Sequence, residues 1–417
     1  MSRKGRLMGL IMVLILSIGS VLVGCSSDKD TSSKSGKSKS GVPTGQTITL
    51  WVWKGEPWLG TVKTIAQKWA KEHNDTVKIV DQSKQPNGFQ FYATAARTGK
   101  GPDVVLGIPH DNLGLFHQEG LISEVPSDID LNAYNDSVQR AVLVDGKPYA
   151  VPTTVETTAI VYNKKLVKEA PKTWDEFKAA ADKNGFMYDQ ANLFNNYTFI
   201  GGLGGYVFKD NNGTYDPKDI GLGNEGAIKA YQLMYDMDNT YHWMTPSVDD
   251  NVAKSKFTSG AIGMYATGPW AIADLDKSKV DYSFAPFPTL SNGKAATPFE
   301  TVQTTIVNAR SKHQEAAWSL VQALNTKEAQ MKYYSEDKQI PALKEAQEDS
   351  TVQSNENIKP FIEQLKTAVP QPNIPEMQAA YSAMSVMKNI ISGKVTPEKG
   401  AKSFVDNIKK GIKVQNQ

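Results

Sequence analysis

The sequence predicts an α/β fold with two lobes, and three observations support this prediction. Short runs of β-branched and aromatic residues alternate along the chain with segments whose apolar residues have helical spacing. The chain has 417 residues, which at roughly 100–200 residues per domain is enough for two or three domains. Hydrophobic residues make up 40% and charged residues 22% of the sequence, a composition that excludes a disordered chain.

Charge and cysteine content exclude two further classes of protein. The formal net charge is only +2, and Arg3, Lys4 and Arg6 near the N-terminus account for it. The rest of the chain therefore has no basic surface for a nucleic-acid backbone. The single cysteine, Cys25, excludes an internal disulfide and a cysteine-based zinc site. We expect no nucleic-acid partner and no metal.

The N-terminal segment has the pattern of a secretory signal peptide. Met1–Arg6 is basic and Leu7–Val23 is apolar apart from Gly and Ser. A transmembrane anchor is the alternative, since the apolar run is just long enough to span a bilayer. The sequence Leu22-Val23-Gly24-Cys25 decides between them, because it resembles the bacterial lipobox. This resemblance implies a signal peptide over residues 1–24 and a diacylated Cys25 at the mature N-terminus.

A flexible tether follows the lipidation site. Ser26–Gln46 is rich in Ser, Lys, Gly and Asp and has almost no apolar residues, so it cannot bury enough surface to fold. Residues 25–46 are therefore predicted to connect the membrane to a folded body that begins at Thr47. Two lipid chains are enough for stable anchoring.

The first part of the body predicts parallel βαβ units. Ile48–Trp53, Val77–Val80 and Asp103–Leu106 are strand candidates, and Val62–His73 has helical spacing. In such sheets ligands bind beyond the carboxyl ends of the strands. The segments after the first and third strands are therefore candidates for the binding site.

The later elements are predicted from caps and periodicity. They are a strand over Thr157–Tyr162 that leaves the first lobe, helices over Asp175–Lys183 and Asn224–Asn239, a strand over Ala261–Tyr265, a helix that starts at Gly268-Pro269-Trp270, and a mostly helical C-terminal quarter from His313. Thr173-Trp174-Asp175-Glu176 is a capping box. Pro269 stands at a helix start, where its missing N–H costs nothing.

The sequence contains no recognised catalytic motif in its required context. The glycine-dense segment Gly201–Gly205 does not follow a clear strand and lacks the spacing of a dinucleotide fingerprint. We therefore predict a non-enzymatic protein without a cofactor. A glycosidase with two carboxylates stays open as an alternative, because acidic pairs are plentiful.

A series of short motifs resembles the extracellular solute-binding proteins of ABC importers, in their maltose/maltodextrin-binding branch. The motifs are Leu50-Trp51-Val52-Trp53, Gly101-Pro102-Asp103-Val104-Val105 with His110-Asp111, Glu156 with Ile160-Val161-Tyr162-Asn163-Lys164, Pro171-Lys172-Thr173-Trp174, Gly204-Gly205-Tyr206-Val207-Phe208-Lys209, Gly268-Pro269-Trp270, and Pro372-Asn373-Ile374-Pro375-Glu376-Met377. They run from about Ile48 to about Lys410, in the order of the family.

This resemblance implies a two-lobed fold of the periplasmic-binding-protein type with a ligand cleft between the lobes. The lobes are discontinuous and close by hinge bending. The first lobe is expected over residues 47–154 and 305–355, and the second over residues 159–299 and 360–417.

The resemblance also implies aromatic residues that stack on sugar rings. Trp270 corresponds to the principal stacking tryptophan, while Phe194 and Tyr381 fall at other aromatic subsites. For all three, packing in the core is the alternative. Tyr381 also brings a hydroxyl group.

The polar residues implied for the site follow the strands or lie at the lobe crossing. Asp111 corresponds to a family carboxylate that accepts bonds from sugar hydroxyls. His110 either joins it or orients the loop. Glu156 corresponds to a ligand acid, with a solvated hinge residue as the alternative.

The segment after the first strand has a looser correspondence. Lys54 and Glu56 occupy a region where the family uses an Asp-Lys pair, in a different order and spacing. Trp58 is expected either to add a stacking platform or to cap the first helix.

Four departures from the family bear on the ligand. Asn112 stands where the best-known members carry Arg, and Asn192 where they carry Glu. Gly107-Ile108 replaces a stacking Trp, and Ile272 replaces a second Trp near Trp270. Asn112 and Asn192 stay candidate ligand residues. The lost rings and charges favour longer, cyclic or branched glucans over maltose.

Together these expectations describe a monomeric, lipid-anchored receptor on the extracellular face of the membrane of a bacterium without an outer membrane. It captures maltooligosaccharides and presents them to the permease subunits of an ABC importer. The alternatives are a receptor for another oligosaccharide, a surface glycosidase, and a sensor or adhesin on the same fold.

Overall fold

The computed structural model describes residues 44–211 and 213–415. The expected signal peptide 1–24, the lipidation site Cys25 and the tether up to residue 43 lie outside these residues. No helix in the described part of the chain is long and apolar enough to cross a membrane.

The body is built from strands and helices that alternate along much of the chain. The strands are β1 (Thr47–Val52), β2 (Thr76–Asp81), β3 (Val104–Pro109), β4 (Leu143–Val144), β5 (Lys147–Pro148), β6 (Val151–Glu156), β7 (Ala159–Asn163), β8 (Phe186–Met187), β9 (Lys209–Asp210), β10 (Tyr215–Asp216), β11 (Met264–Thr267), β12 (Tyr282–Ala285), β13 (Phe299–Val307), β14 (Ile340–Pro341) and β15 (Val369–Pro370). The helices are α1 (Trp58–His73), α2 (Gly88–Arg97), α3 (Leu113–Gln118), α4 (Asp136–Ala141), α5 (Trp174–Asn184), α6 (Leu193–Gly202), α7 (Glu225–Asn239), α8 (Asp250–Thr258), α9 (Ile272–Asp276), α10 (Gln314–Leu324), α11 (Lys327–Asp337), α12 (Lys344–Gln347), α13 (Ser350–Gln353), α14 (Lys359–Leu365), α15 (Met377–Ala383), α16 (Ser385–Ile391) and α17 (Pro397–Gln415).

The first lobe is organised around a mixed sheet with the strand order β14-β6-β13-β3-β1-β2, to which β15 is added at β13. β1 pairs in parallel with both β2 and β3, which confirms the parallel βαβ prediction for the first part of the body. β13 runs antiparallel to β3 and β6. β6 leaves the sheet toward the second lobe and β13 returns from it, so β13 runs in the opposite direction to β6. Apolar side chains are buried on both faces of this sheet.

The second lobe has a smaller sheet with the order β12-β7-β11-β8. β7 is antiparallel to both of its neighbours, and β8 joins β11 in parallel. Only Thr157 and Thr158 separate β6 in the first sheet from β7 in the second. The Thr157 hydroxyl donates to the carbonyl oxygen of Phe299 at 2.9 Å, so two of the passages between the lobes are bonded to each other.

Local sequence signals located several elements correctly. The capping box at the start of α5 is formed, with Thr173 accepting from the backbone of Glu176 and the Glu176 side chain accepting in return. Asn224 caps α7 by accepting the backbone N–H of Ala227. Both helices therefore begin where the sequence predicted.

Several element boundaries differ from the prediction, among them those of α1 and β11. Helix α1 begins at Trp58 rather than Val62, because the chain turns into the helix directly after β1. The strand expected over Ala261–Tyr265 is found at Met264–Thr267. The backbone N–H of Ala261 still closes helix α8 by donating to the Lys256 carbonyl at 2.9 Å, so it is not available to a sheet.

Candidate functional site

The candidate site is built along β13, the crossing strand by which the chain returns from the second lobe to the sheet of the first. Side chains alternate along a strand, so Phe299, Thr301 and Gln303 lie on one face of β13. Thr301 lies opposite Glu156 of β6, and Gln303 lies opposite Thr154. Directly opposed residues project to the same side of a sheet. Glu156 therefore lies on the face that carries this row of β13 side chains.

Glu156 is held by two partners that are distant from it in sequence. Its Oε1 atom accepts from Lys54 Nζ at 3.0 Å, and its Oε2 atom accepts from Gln303 Nε2 at 3.0 Å. The carboxylate is nearly buried, whereas the Lys54 side chain is 28% exposed. Removing these two charged groups from water costs desolvation free energy, which offsets their attraction. The main effect of the pair is therefore to orient the two side chains and not to stabilise the fold. The structure thus brings together two residues, Lys54 and Glu156, that the sequence assigned to the site separately.

Asp111 and Tyr381 form the next part of the same face. Gln371 links Tyr381 to β13, since its Nε2 atom donates to Thr301 Oγ1 at 2.7 Å and its Oε1 atom accepts from the Tyr381 hydroxyl. Asp111 is 8% exposed, and burial raises its pKa to about 7. Burial and then the nearby Asp111 carboxylate raise the pKa of Tyr381 well above its usual value. A hydroxyl and a carboxyl group therefore lie close enough for the charge of one to act on the other, and both are groups suited to polyhydroxylated ligands.

The buried Asp111 predicts a pH dependence of stability. The folded-state pKa of about 7 lies above the ordinary value of 3.8, so the unfolded chain loses this proton first as the pH rises. The contribution of the Asp111 carboxyl group to the free energy of unfolding is fully present below about pH 4. It is lost as the pH rises from about 4 to 7. We expect Asp111→Asn to flatten this decline and to raise the free energy of unfolding at pH 8 by about 1–3 kcal/mol.

Urea unfolding at pH 4.5 and pH 8 measures this effect. The exposed Asp128 provides a matched control as Asp128→Asn, which should leave the pH dependence unchanged. If the free energy of unfolding changes between pH 4.5 and pH 8 by the same amount in the wild type and in Asp111→Asn, the assignment of this pH dependence to Asp111 is contradicted.

Aromatic side chains continue the site into the second lobe. Trp270 follows Gly268 in a short 3-10 helix after β11 and is 41% exposed. Its ring lies over Gly268, where any side chain would overlap it. Phe194 lies 6.3 Å from Trp270 between ring centroids, and 6.3 Å from Phe299 at the start of β13. The two aromatic residues predicted in the second lobe, Trp270 and Phe194, are therefore adjacent and continuous with the crossing strand.

Two residues predicted at the site are fully buried. Trp58 is fully buried in the first-lobe core, with its ring 5.1 Å from that of Tyr333. It is neither a platform nor a side-chain cap, because the first turn of α1 faces the core. His110 is also fully buried. Its Nδ1 atom accepts the Val302 N–H, and its Nε2 atom donates to the Gln371 carbonyl, both at 3.0 Å.

His110 is therefore held between two backbone groups, which favours the loop-orienting role over ligand contact. Both of its ring nitrogens are used by the backbone, and burial lowers its pKa to about 4. The ring is consequently neutral at physiological pH. Of the two roles that the sequence left open for His110, the structure supports the positioning role.

Three other predicted residues make local contacts that shape the backbone. Glu56 accepts the Gly60 N–H at 2.9 Å in the first turn of α1, and Asn192 caps α6. Asn112 Nδ2 donates to Asp111 Oδ1 at 3.3 Å. Glu56 and Asn192 thus stabilise helix ends, while Asn112 supports the carboxylate beside it.

The sequence analysis missed four residues of this face. They are Phe299, Thr301 and Gln303 of β13, together with Gln371. The β-branched and aromatic residues of Phe299–Val307 were a usable signal for a strand. The partners of these side chains could not be inferred from it.

The described residues offer no group of three or more His, Cys, Asp or Glu side chains that could hold a metal ion. The arrangement is instead a row of largely buried polar side chains that continues into the partly buried ring of Phe194 and the exposed ring of Trp270. Such a surface binds a neutral ligand with hydroxyl edges and apolar faces.

Comparison with known proteins assigns the fold and the family. Residues 56–331 match the family described as bacterial extracellular solute-binding protein. A galactooligosaccharide-binding protein of Bacillus subtilis is 31% identical over 97% of this chain and 97% of its own length. The maltodextrin-binding protein MdxE of the same organism is 32% identical over 95% of each chain.

A solved structure gives a closer comparison. The maltose-maltodextrin binding protein of the thermoacidophilic bacterium Alicyclobacillus acidocaldarius is 57% identical, with a TM-score of 0.84 over 87% of this chain and 100% of that chain. The two-lobed fold is thereby confirmed. The family match covers more than half of the chain, and this chain therefore belongs to the bacterial extracellular solute-binding proteins.

Proposed function

We propose that this protein is the receptor component of an ABC importer and that it captures maltooligosaccharides. The observation that carries the proposal is the row of polar side chains on β13, which continues into the exposed ring of Trp270. A glucan has hydroxyl edges and C–H faces, and this site offers a partner for each. The maltodextrin-binding relative and the 57% identical maltose-maltodextrin binding protein support the same ligand class.

Each side chain has a definite role in this proposal. Trp270, Phe194 and Tyr381 stack on sugar rings, while Asp111 and Glu156 accept bonds from sugar hydroxyls. Lys54 and Gln303 hold the Glu156 carboxylate. The match to the solute-binding family favours a binding role over glycoside hydrolysis.

Ligand capture proceeds by closure of the two lobes around the cleft. We place the lobes at residues 47–154 with 305–355 and at residues 159–299 with 360–417, and the hinge in the segments between them. The closed form is then recognised by the permease subunits of the importer. The receptor acts as a monomer and needs no cofactor.

The protein is anchored on the extracellular face of the cell membrane in this proposal. Cys25 carries the lipid, and the tether over residues 26–46 lets the body move above the membrane. The lipobox-like sequence before Cys25 and the extracellular description of the family support this location.

Calorimetric titration of the purified protein with maltotriose tests the proposed ligand. We expect saturable binding, with no heat of binding for lactose or cellotriose. The relative that binds galactooligosaccharides makes that sugar the second candidate, so it forms a parallel titration. Binding of galactooligosaccharide without binding of maltotriose would replace the proposed ligand and keep the receptor role.

A further inference from the structure

A second cavity lies behind the crossing strand, on the side away from the candidate site. Glu300 stands between Phe299 and Thr301 in β13, and successive side chains of a strand project to opposite faces. The Glu300 side chain therefore points away from the row that carries Thr301 and Gln303. It lines a cavity of about 530 Å³, a volume typical of small-molecule sites. This cavity, which we call the rear pocket, is separate from the proposed sugar site.

The walls of the rear pocket belong to elements that are attached to different sheets. One wall comes from α4, α12 and α13, and Gln347 of α12 donates to the Pro341 carbonyl of β14 in the first sheet at 2.8 Å. The other wall comes from α14 and the segment after it. Phe361 of α14 packs on Phe284 of β12 in the second sheet, with ring centroids 4.7 Å apart. The shape of the pocket therefore depends on the relative position of the two lobes.

The most buried side chain of the rear pocket is a carboxyl group that lacks a partner. Glu300 is 2% exposed, and its Oε2 atom is buried without a hydrogen-bond partner among the described residues. Burial raises the pKa of Glu300 to about 7, against the opposing effects of Ser137 and Arg140. An unpaired oxygen atom in a buried position is costly. A ligand that brings a hydrogen-bond donor, above all an ammonium group, removes this cost.

The remainder of the pocket supplies positive charge and apolar surface. The cationic side chains that line it outnumber the acids, since the cations are Arg140, Lys344 and Lys366 and the acids are Glu300 and Glu348. Ile362 and Leu365 of α14 are half-buried and add an apolar wall. A molecule with an amino group, an acidic group and an apolar part between them matches all three features.

We propose that the rear pocket binds a small zwitterion, a short peptide with free termini and apolar side chains. The peptide amino group donates to Glu300, its carboxylate accepts from Arg140, and its side chains pack on Ile362 and Leu365. Closure of the lobes over the cleft face of β13 moves the walls behind the strand apart, so a peptide bonded to both walls opposes closure. The site itself is independent of the sugar, whereas its effect on sugar affinity rests on the proposed function.

Calorimetric titration with L-leucyl-L-leucine tests the site. We expect saturable binding to the wild type and about tenfold weaker binding to Glu300→Gln and to Arg140→Gln, as the loss of one charge-assisted hydrogen bond predicts. The N-acetylated dipeptide amide lacks both charges and should also bind about tenfold more weakly. Glu345→Gln is the matched control, because Glu345 is exposed on α12 and does not line the pocket.

Titration with maltotriose in the presence of saturating dipeptide tests the effect on closure. We expect the sugar to bind the wild type about fivefold more weakly than without dipeptide, a typical size for coupling between two sites. The same dipeptide concentration should have a smaller effect on Glu300→Gln, because that variant binds the dipeptide more weakly.

The outcomes separate the rear pocket from the sugar site. A folded wild type that does not bind the dipeptide, or that binds it with the same affinity as both variants, would overturn the peptide site. Dipeptide binding that leaves maltotriose affinity unchanged would keep the site and overturn its effect on closure. A wild type that binds the dipeptide but not maltotriose would overturn the proposed sugar ligand alone.

Discussion

Replacing Trp270 by alanine should weaken maltotriose binding by about 30- to 100-fold, from the loss of one large stacked ring in the cleft. The side chain is 41% exposed, and Phe194 lies at its edge. The ring is therefore available to a ligand and is not required to fill the core. The free energy of unfolding should change little, because an exposed ring contributes little to packing.

The matched control for this experiment is Val252→Ala. Val252 is also 41% exposed and belongs to the same lobe, so its truncation tests for general effects of removing surface apolar area. Trp270→Phe should recover part of the affinity, since it restores a flat face. A folded Trp270→Ala variant with wild-type affinity for maltotriose would disprove the stacking role.

Replacing Trp58 by alanine should lower the free energy of unfolding by about 3–5 kcal/mol, the usual cost of deleting a buried aromatic side chain. Trp58 is fully buried and packs on Tyr333. Its ring also lies 5.3 Å below the Lys54 ammonium group. Sugar affinity at a temperature where the variant is folded should therefore fall only modestly, through the position of Lys54.

Denaturant unfolding and calorimetry together decide this prediction. Trp58→Phe keeps most of the volume and should recover most of the stability. A stacking platform would give the reverse pattern, in which affinity falls strongly and stability is kept. That result would support the stacking-platform role of Trp58, against which its burial argues.

Local patterns predicted most of the fold. The apolar run of β1, the capping box of α5 and the cap of α7 depend on residues within a few positions of one another. Periodicity and capping act at that range, so these elements could be located from the sequence. The direction of β13 could not, since it depends on which strands it meets in the sheet.

The composition of the candidate site was predicted in part, and the contacts within it were not. Motif resemblance named Asp111, Glu156 and Trp270, which the structure places along one face and its continuation. It also named Trp58, whose burial depends on the packing of α1 against α11. Whether a residue is buried depends on the helix that packs against it as well as on the residue itself.

By itself, the sequence determined the class of fold, the course of the main elements and the residue types available to a sugar. Only the tertiary structure decided which of these residues contact one another. Lys54 and Glu156 are 102 residues apart, and Gln303 and Glu156 are 147 apart. Local propensity carries no information on pairs at such separations. Gln303 meets Glu156 because the crossing strand β13 pairs with β6. Lys54 reaches Glu156 because β13 also pairs with β3, which pairs with β1, and these pairings are fixed by the packing of the whole sheet.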